Sequence, residues 1–170
     1  MDPAQTTVAW TLGAVLHTVH GTFKMKSGIV SFDPKSGTAS GVILVDATSG
    51  ESGNQTRDKK MHKEILESQR YPEITFTPQR VTGNLVPNGN STIQVQGLFH
   101  IHGSDHDLTL SIPVKISGDT VKVSTSFVVP YQDWGIKNPS TFLLRVENNV
   151  QVNVSAAGRI TTTDSGLATH

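Results

Sequence analysis

TIQVQGLFHIHGSDHDLTLSIPVKI, residues 92–116, decides the fold. In its first half Ile93, Val95, Phe99 and Ile101 alternate with Gln94, Gln96, His100 and His102. In its second half Leu108, Leu110, Ile112, Val114 and Ile116 alternate with Asp107, Thr109, Ser111 and Lys115. A period of two is the mark of a half-buried strand, because successive side chains point to opposite faces. Gly103-Ser104-Asp105 supplies turn residues between the two runs, so the stretch reads as an antiparallel hairpin. One face of that hairpin is apolar, and it needs cover.

The same rhythm continues on either side. TVAWTL sets Val8, Trp10 and Leu12 on one face, and GTFKMKSGIVSFD offers Phe23 and Met25 before a DPKSG turn. SGVILVDA is a continuous apolar run, which predicts cover on both faces. TVKVSTSFVVPY and NNVQVNVSAAG alternate again, through Val121, Val123, Phe127 and Val129 and then Val150, Val152 and Val154. About eight strands joined mainly by hairpins define an all-β chain, either an antiparallel sandwich or a closed barrel. One segment breaks the pattern. NQTRDKKMHKEILESQRYP predicts a single short helix over Arg57–Ser68, with Thr56 as N-cap and Asp58 in the first turn. Met61, Ile65 and Leu66 form its narrow apolar stripe, and Pro72 stops it. No repeat or linker interrupts the chain, which forms one domain over residues 1–170 with its core at about 8–160.

Composition removes several functions. The chain has 170 residues, 14 Lys and Arg against 14 Asp and Glu, and no cysteine. Thiol catalysis, Cys-ligated zinc and a disulfide framework are thereby excluded. No basic run supplies the electrostatic footprint of a nucleic-acid binder. No apolar run reaches the roughly 20 residues of a helical membrane span. MDPAQTTVAW reads as a mature N-terminus from which an export signal has been trimmed, so the expected location is the bacterial periplasm or the secreted fraction. No phosphate loop, dinucleotide fingerprint or nucleophile elbow is present, and no cofactor is implied. The expectation is a binding protein, not an enzyme.

Three stretches carry a resemblance. HTVHGTF (17–23), RDKKMHKEILESQRYPEITFTP (57–78) and VQGLFHIHGSDHDLTLSIPV (95–114) occur in the order and with the gaps of the YceI-like family, which the chain resembles from about Val8 to Ile160. That resemblance implies a lipocalin-like antiparallel barrel that binds polyisoprenoids or other long-chain amphiphiles. The expected partner is therefore a long-chain lipid of isoprenoid, fatty amide or fatty acid type, with a homodimer left open. A barrel of about eight strands either fills with side chains or holds one chain-like ligand. Trp10, Phe23, Phe76, Phe99, Leu108, Leu110, Phe127 and Trp134 are the expected apolar lining, with His17 and His62 at a polar mouth.

The histidines invite a second reading. His100, His102 and His106 lie within seven positions, and two imidazoles at i and i+2 on a strand can chelate one metal ion. A metal-binding protein or metal-dependent enzyme is the alternative they raise. Against it, alternation puts His100 and His102 with Gln94 and Gln96, and the whole histidine set is expected to look outward.

Overall fold

The computed structural model describes residues 1–141 and 144–162. Eight strands follow one another: β1 Thr7–Ala14, β2 Thr18–Phe32, β3 Ala39–Glu51, β4 Glu73–Thr82, β5 Asn90–Ile101, β6 Ser104–Ser117, β7 Thr120–Val129 and β8 Val146–Arg159. Each pairs antiparallel with its sequence neighbour, and β8 returns to pair with β1 over Thr7–Leu12. The result is a closed up-and-down barrel, the architecture in which a β-sheet has no free edge. A 3-10 turn, Pro3–Gln5, leads into it, and one helical segment, α1 Gln55–Lys60 with its continuation, lies between β3 and β4.

The deciding hairpin is β5–β6, with twelve residue pairs in unbroken register from Asn90↔Lys115 to Ile101↔Ser104. Its turn is the two residues His102 and Gly103, both at positive φ (52° and 77°), one position earlier than the glycine-serine cluster suggests. Two left-handed residues are what the type I′ hairpin turn demands, since its twist matches that of the strands. With the turn fixed there, Phe99 pairs with His106, and both lie on the inner face.

Three expectations are corrected. The helix begins at an Asn54 cap, whose side chain accepts from the Arg57 N–H, and not at Thr56. It is also not one regular α-helix, because Met61–Ile65 widens into π geometry, marked by the Leu66 N–H donating to the Met61 carbonyl at 2.8 Å. The apolar stripe survives this, and Met61, Ile65 and Leu66 all face the barrel interior. The outer face of SGVILVDA is not covered: Ile43 and Val45 point inward, but Val42 is 41% exposed.

Buried apolar side chains concentrate on β4 to β6, with Ile74, Phe76, Val81, Ile93, Val95, Phe99, Ile101, Leu110, Val114 and Ile116. Their counterparts on β7 and β8, including Val121, Val123, Phe127, Val150 and Val152, are only half-buried although they point the same way. The interior is thus packed along one wall and leaves surface free along the other.

Candidate functional site: an apolar cavity with two ends

The free surface belongs to a cavity of about 1480 Å³ that runs the length of the barrel. This is far more than the interstices of a close-packed core, whose voids rarely exceed a water molecule. Its walls are the inward positions of all eight strands, so the two-residue period seen in the sequence is what makes it apolar. At one end it is framed by Ala14 at the end of β1, by His17 of the β1–β2 turn, by α1, and by residues of the long β7–β8 connection, among them Pro139 and Thr141. At the other end it reaches Met1, Phe32, Leu85, Pro87 and Ile160.

Of the expected lining, Trp10, Phe23, Phe76, Phe99, Leu108, Leu110 and Phe127 all border this space. Trp10 lies flat on its cross-strand partner Gly21, where even a methyl group would come within 2.2 Å of the indole. Its indole N–H is buried and finds no acceptor. Phe99 anchors an aromatic cluster, with Phe127 edge-on at 5.9 Å and Trp134 at 5.7 Å. The expected lining left out the valines of β8, Val150, Val152 and Val154, which border the cavity and whose alternation is plain.

Trp134 is a correction, for it does not border the cavity. It sits in the turn after β7, stacked on the His106 ring at 4.1 Å and 6° between planes. Tyr131 and Ile136 of the same turn are buried, and the Tyr131 hydroxyl donates to the Glu147 carbonyl at 2.6 Å. This turn closes part of the α1 end, and Trp134 is a piece of that closure.

The histidines divide three ways. His100 stands on the outer wall and pairs with Asp105 at 2.6 Å. His102, in the hairpin turn, bonds the Glu67 carboxylate at 2.8 Å and packs on Tyr71, which ties the β5–β6 tip to the chain after α1. His106 is a correction, since it points inward under Trp134 and its Nε2 is buried without a partner. Burial pushes its imidazole below the ordinary histidine range, Asp105 pulls the other way, and His100 adds a little to the lowering. Among the described residues no three His, Cys, Asp or Glu side chains gather as a metal ion requires. The three rings share a sequence neighbourhood but not a site.

His62 is likewise not at the mouth. Its Nε2–H donates to the Gly50 carbonyl at 2.7 Å and its Nδ1 meets the Ser68 hydroxyl at 2.9 Å, so it pins the π turn to β3. His17 does stand at the rim, exposed. The polar side chains contributed there by α1 and its cap are Asn54, Thr56, Arg57 and Lys60. Arg57 is held in place by Ser52, whose hydroxyl accepts from Nε at 2.7 Å and whose carbonyl accepts from a terminal nitrogen at 2.8 Å.

A closed antiparallel barrel around one long apolar cavity is the architecture of the lipocalin-like binding proteins. The YceI-like domain model matches residues 1–157, and the chain belongs to that family. Among solved structures it is similar to BcnA of Burkholderia cenocepacia, with a TM-score of 0.76 at 20% identity over 92% of this chain and 98% of that one. A polyisoprenoid binding domain from Saccharophagus degradans, implicated in plant cell wall breakdown, gives 0.67 at 13% identity over 89% and 92%. The YceI protein of Campylobacter jejuni gives 0.65 at 19% identity over 85% and 86%. Among curated proteins no sequence matches this chain.

Proposed function

We propose that this protein binds and carries a long-chain amphiphile of isoprenoid or fatty-acyl type, without transforming it. The observation that carries the reading is the cavity, which is long, apolar and continuous along the barrel. Moving a hydrocarbon chain from water into such a space is favourable by roughly 0.8 kcal/mol per methylene before ordering costs. A chain of ten or more carbons is held there without a strong polar anchor. Likeness of fold to a domain described as polyisoprenoid binding supports the same ligand class. In this reading Trp10, Phe23, Phe76, Phe99, Leu108, Leu110 and Phe127 contact the chain and His17 lies beside the head group. Trp134 and His62 serve only by holding the walls. Action outside the cytoplasm, in the periplasm or the medium, belongs to the same proposal and is checked by cell fractionation.

The test is direct. Organic extraction of the purified protein, followed by mass spectrometry, is expected to give one lipid in stoichiometric amount, or the delipidated protein is expected to take one up. Val152→Trp, which places an indole across the free wall, is expected to keep the barrel's circular dichroism and lose the lipid. Equal lipid content in the two proteins would remove the cavity from the explanation.

A further inference from the structure

The cavity lining has a charge pattern that the whole chain does not. Acidic and basic residues are equal in number, 14 and 14, yet no Asp or Glu borders the cavity among the described residues. The charged side chains that do border it are Arg57, Lys60 and Arg159, all cationic. Their surroundings differ between the two ends. At the far end Arg159 is paired with Asp119 at 3.5 Å, and the Met1 ammonium donates to the Gly28 carbonyl at 2.7 Å. At the α1 end neither Arg57 nor Lys60 has a carboxylate oxygen within 4.0 Å among the described residues. The nearest acid in sequence, Asp58, is turned away from the cavity onto Ser52, which accepts from Arg57 on its other side. Of the charged side chains that border the cavity, the one at the far end therefore has a carboxylate partner, and the two at the α1 end have none in direct contact among the described residues.

Arg57 and Lys60 stand three apart on α1, the spacing that puts two side chains on one helix face. Asn54 and Thr56 add uncharged polar groups to the same rim. The geometry points to a head-group site for an anion: we infer that the ligand carries a carboxylate or phosphate, bound at the α1 end between Arg57 and Lys60, with its chain running toward Phe32 and Leu85. The Ser52 bonds fix Arg57 in place, so less side-chain freedom is lost when the anion arrives. Lys60 is exposed and closes on the anion from the solvent side. A neutral or cationic head of the same length makes no use of this pair.

This inference rests on the binding function proposed above, and its test separates the two. Tetradecanoic acid and tetradecanamide share a chain and differ in head charge. Each is measured at pH 8 by displacement of 1-aminoanthracene from the delipidated full-length protein. The acid is expected to bind about tenfold more tightly than the amide, a preference that shrinks as salt is raised. Lys60→Glu is expected to bring the ratio of the two affinities to about one or below. Lys122→Glu, an equal charge change on the exposed outer face of β7, is expected to leave the ratio at its wild-type value. Equal affinities for acid and amide in the wild-type protein overturn the anion site and leave the lipid function standing. A preference unchanged in Lys60→Glu, or lost equally in Lys122→Glu, overturns it too. If neither compound displaces the probe, the lipid function itself falls, and the head-group site with it.

Discussion

Chain length is the perturbation that reads the cavity most directly. A straight-chain acid laid along the barrel meets the inward side chains of successive strand positions from Ala14 and Leu12 down to Phe32, nearly all of them hydrocarbon. Each added methylene inside that tube leaves water completely, which is worth about 0.8 kcal/mol or close to a fourfold change in Kd. From decanoic to hexadecanoic acid the six added groups amount to about 5 kcal/mol, before the cost of ordering the chain reduces it. The slope is expected to hold until the chain reaches the Met1–Leu85 end, and then to flatten as further carbons emerge into solvent. Displacement of a neutral fluorescent probe across the series gives both the slope and the break. A chain lying on the outer surface would keep half its area wet and show a shallow slope with no break. A gain below twofold per methylene across the whole series would refute the reasoning.

Brominated acyl chains separate the two tryptophans, since contact quenching requires the bromine to reach the ring. In Trp134→Phe, which leaves Trp10 against the cavity, a bromo-acid is expected to quench most of the emission. In Trp10→Phe, which leaves Trp134 behind His106, it is expected to quench little, and the reverse order would contradict the placement of both rings. His106 predicts a loss of stability in mild acid. Burial holds its folded-state value below the ordinary 6.5, so as pH falls through that value the unfolded chain takes up a proton first. The stability is therefore fully present above about pH 7 and drains away until the lowered folded value is passed. Urea unfolding at pH 7.5 and 5.5 is expected to show a smaller acid loss in His106→Phe than in the wild type, and equal losses would count against it. Gly97→Ala tests the β4–β5 contact. The added carbon would lie 2.4 Å from the Thr77 carbonyl oxygen and 2.9 Å from the Phe76 ring, which predicts a cost of about 1–3 kcal/mol by urea titration.

Strand identity was legible because the alternation is local: a residue two places from an inward one is inward, whatever happens elsewhere. Carried through, the rule placed His106 as well, for it lies two before Leu108 and four before Leu110. Grouping it with His100 and His102 by residue type hid this, since the hairpin turn at His102–Gly103 falls between them. The helix start was ambiguous for a different reason. Asn54 and Thr56 are both good caps, and the choice between them depends on where the chain leaves β3. The π turn is set by His62 reaching Gly50, a tertiary contact with no local signature. The cavity itself could not be read from the sequence. Periodicity says which side chains face inward but not how far apart the walls stand, because barrel radius is fixed by strand number and stagger.

The seam between β1 and β8 has a consequence of another kind. Every other strand pair joins neighbours in the chain, so seven hairpin-like steps form at small loop-closure cost. The last step must bring Val8 to Val154, across nearly the whole sequence. Until it does, the meander is a curled ribbon with two long unsatisfied borders, the state most open to pairing with another copy of itself. Weakening β8 would therefore do more than loosen the barrel. It would lengthen the life of a sticky intermediate, and such variants are expected to be lost to aggregation before any defect in binding could be measured.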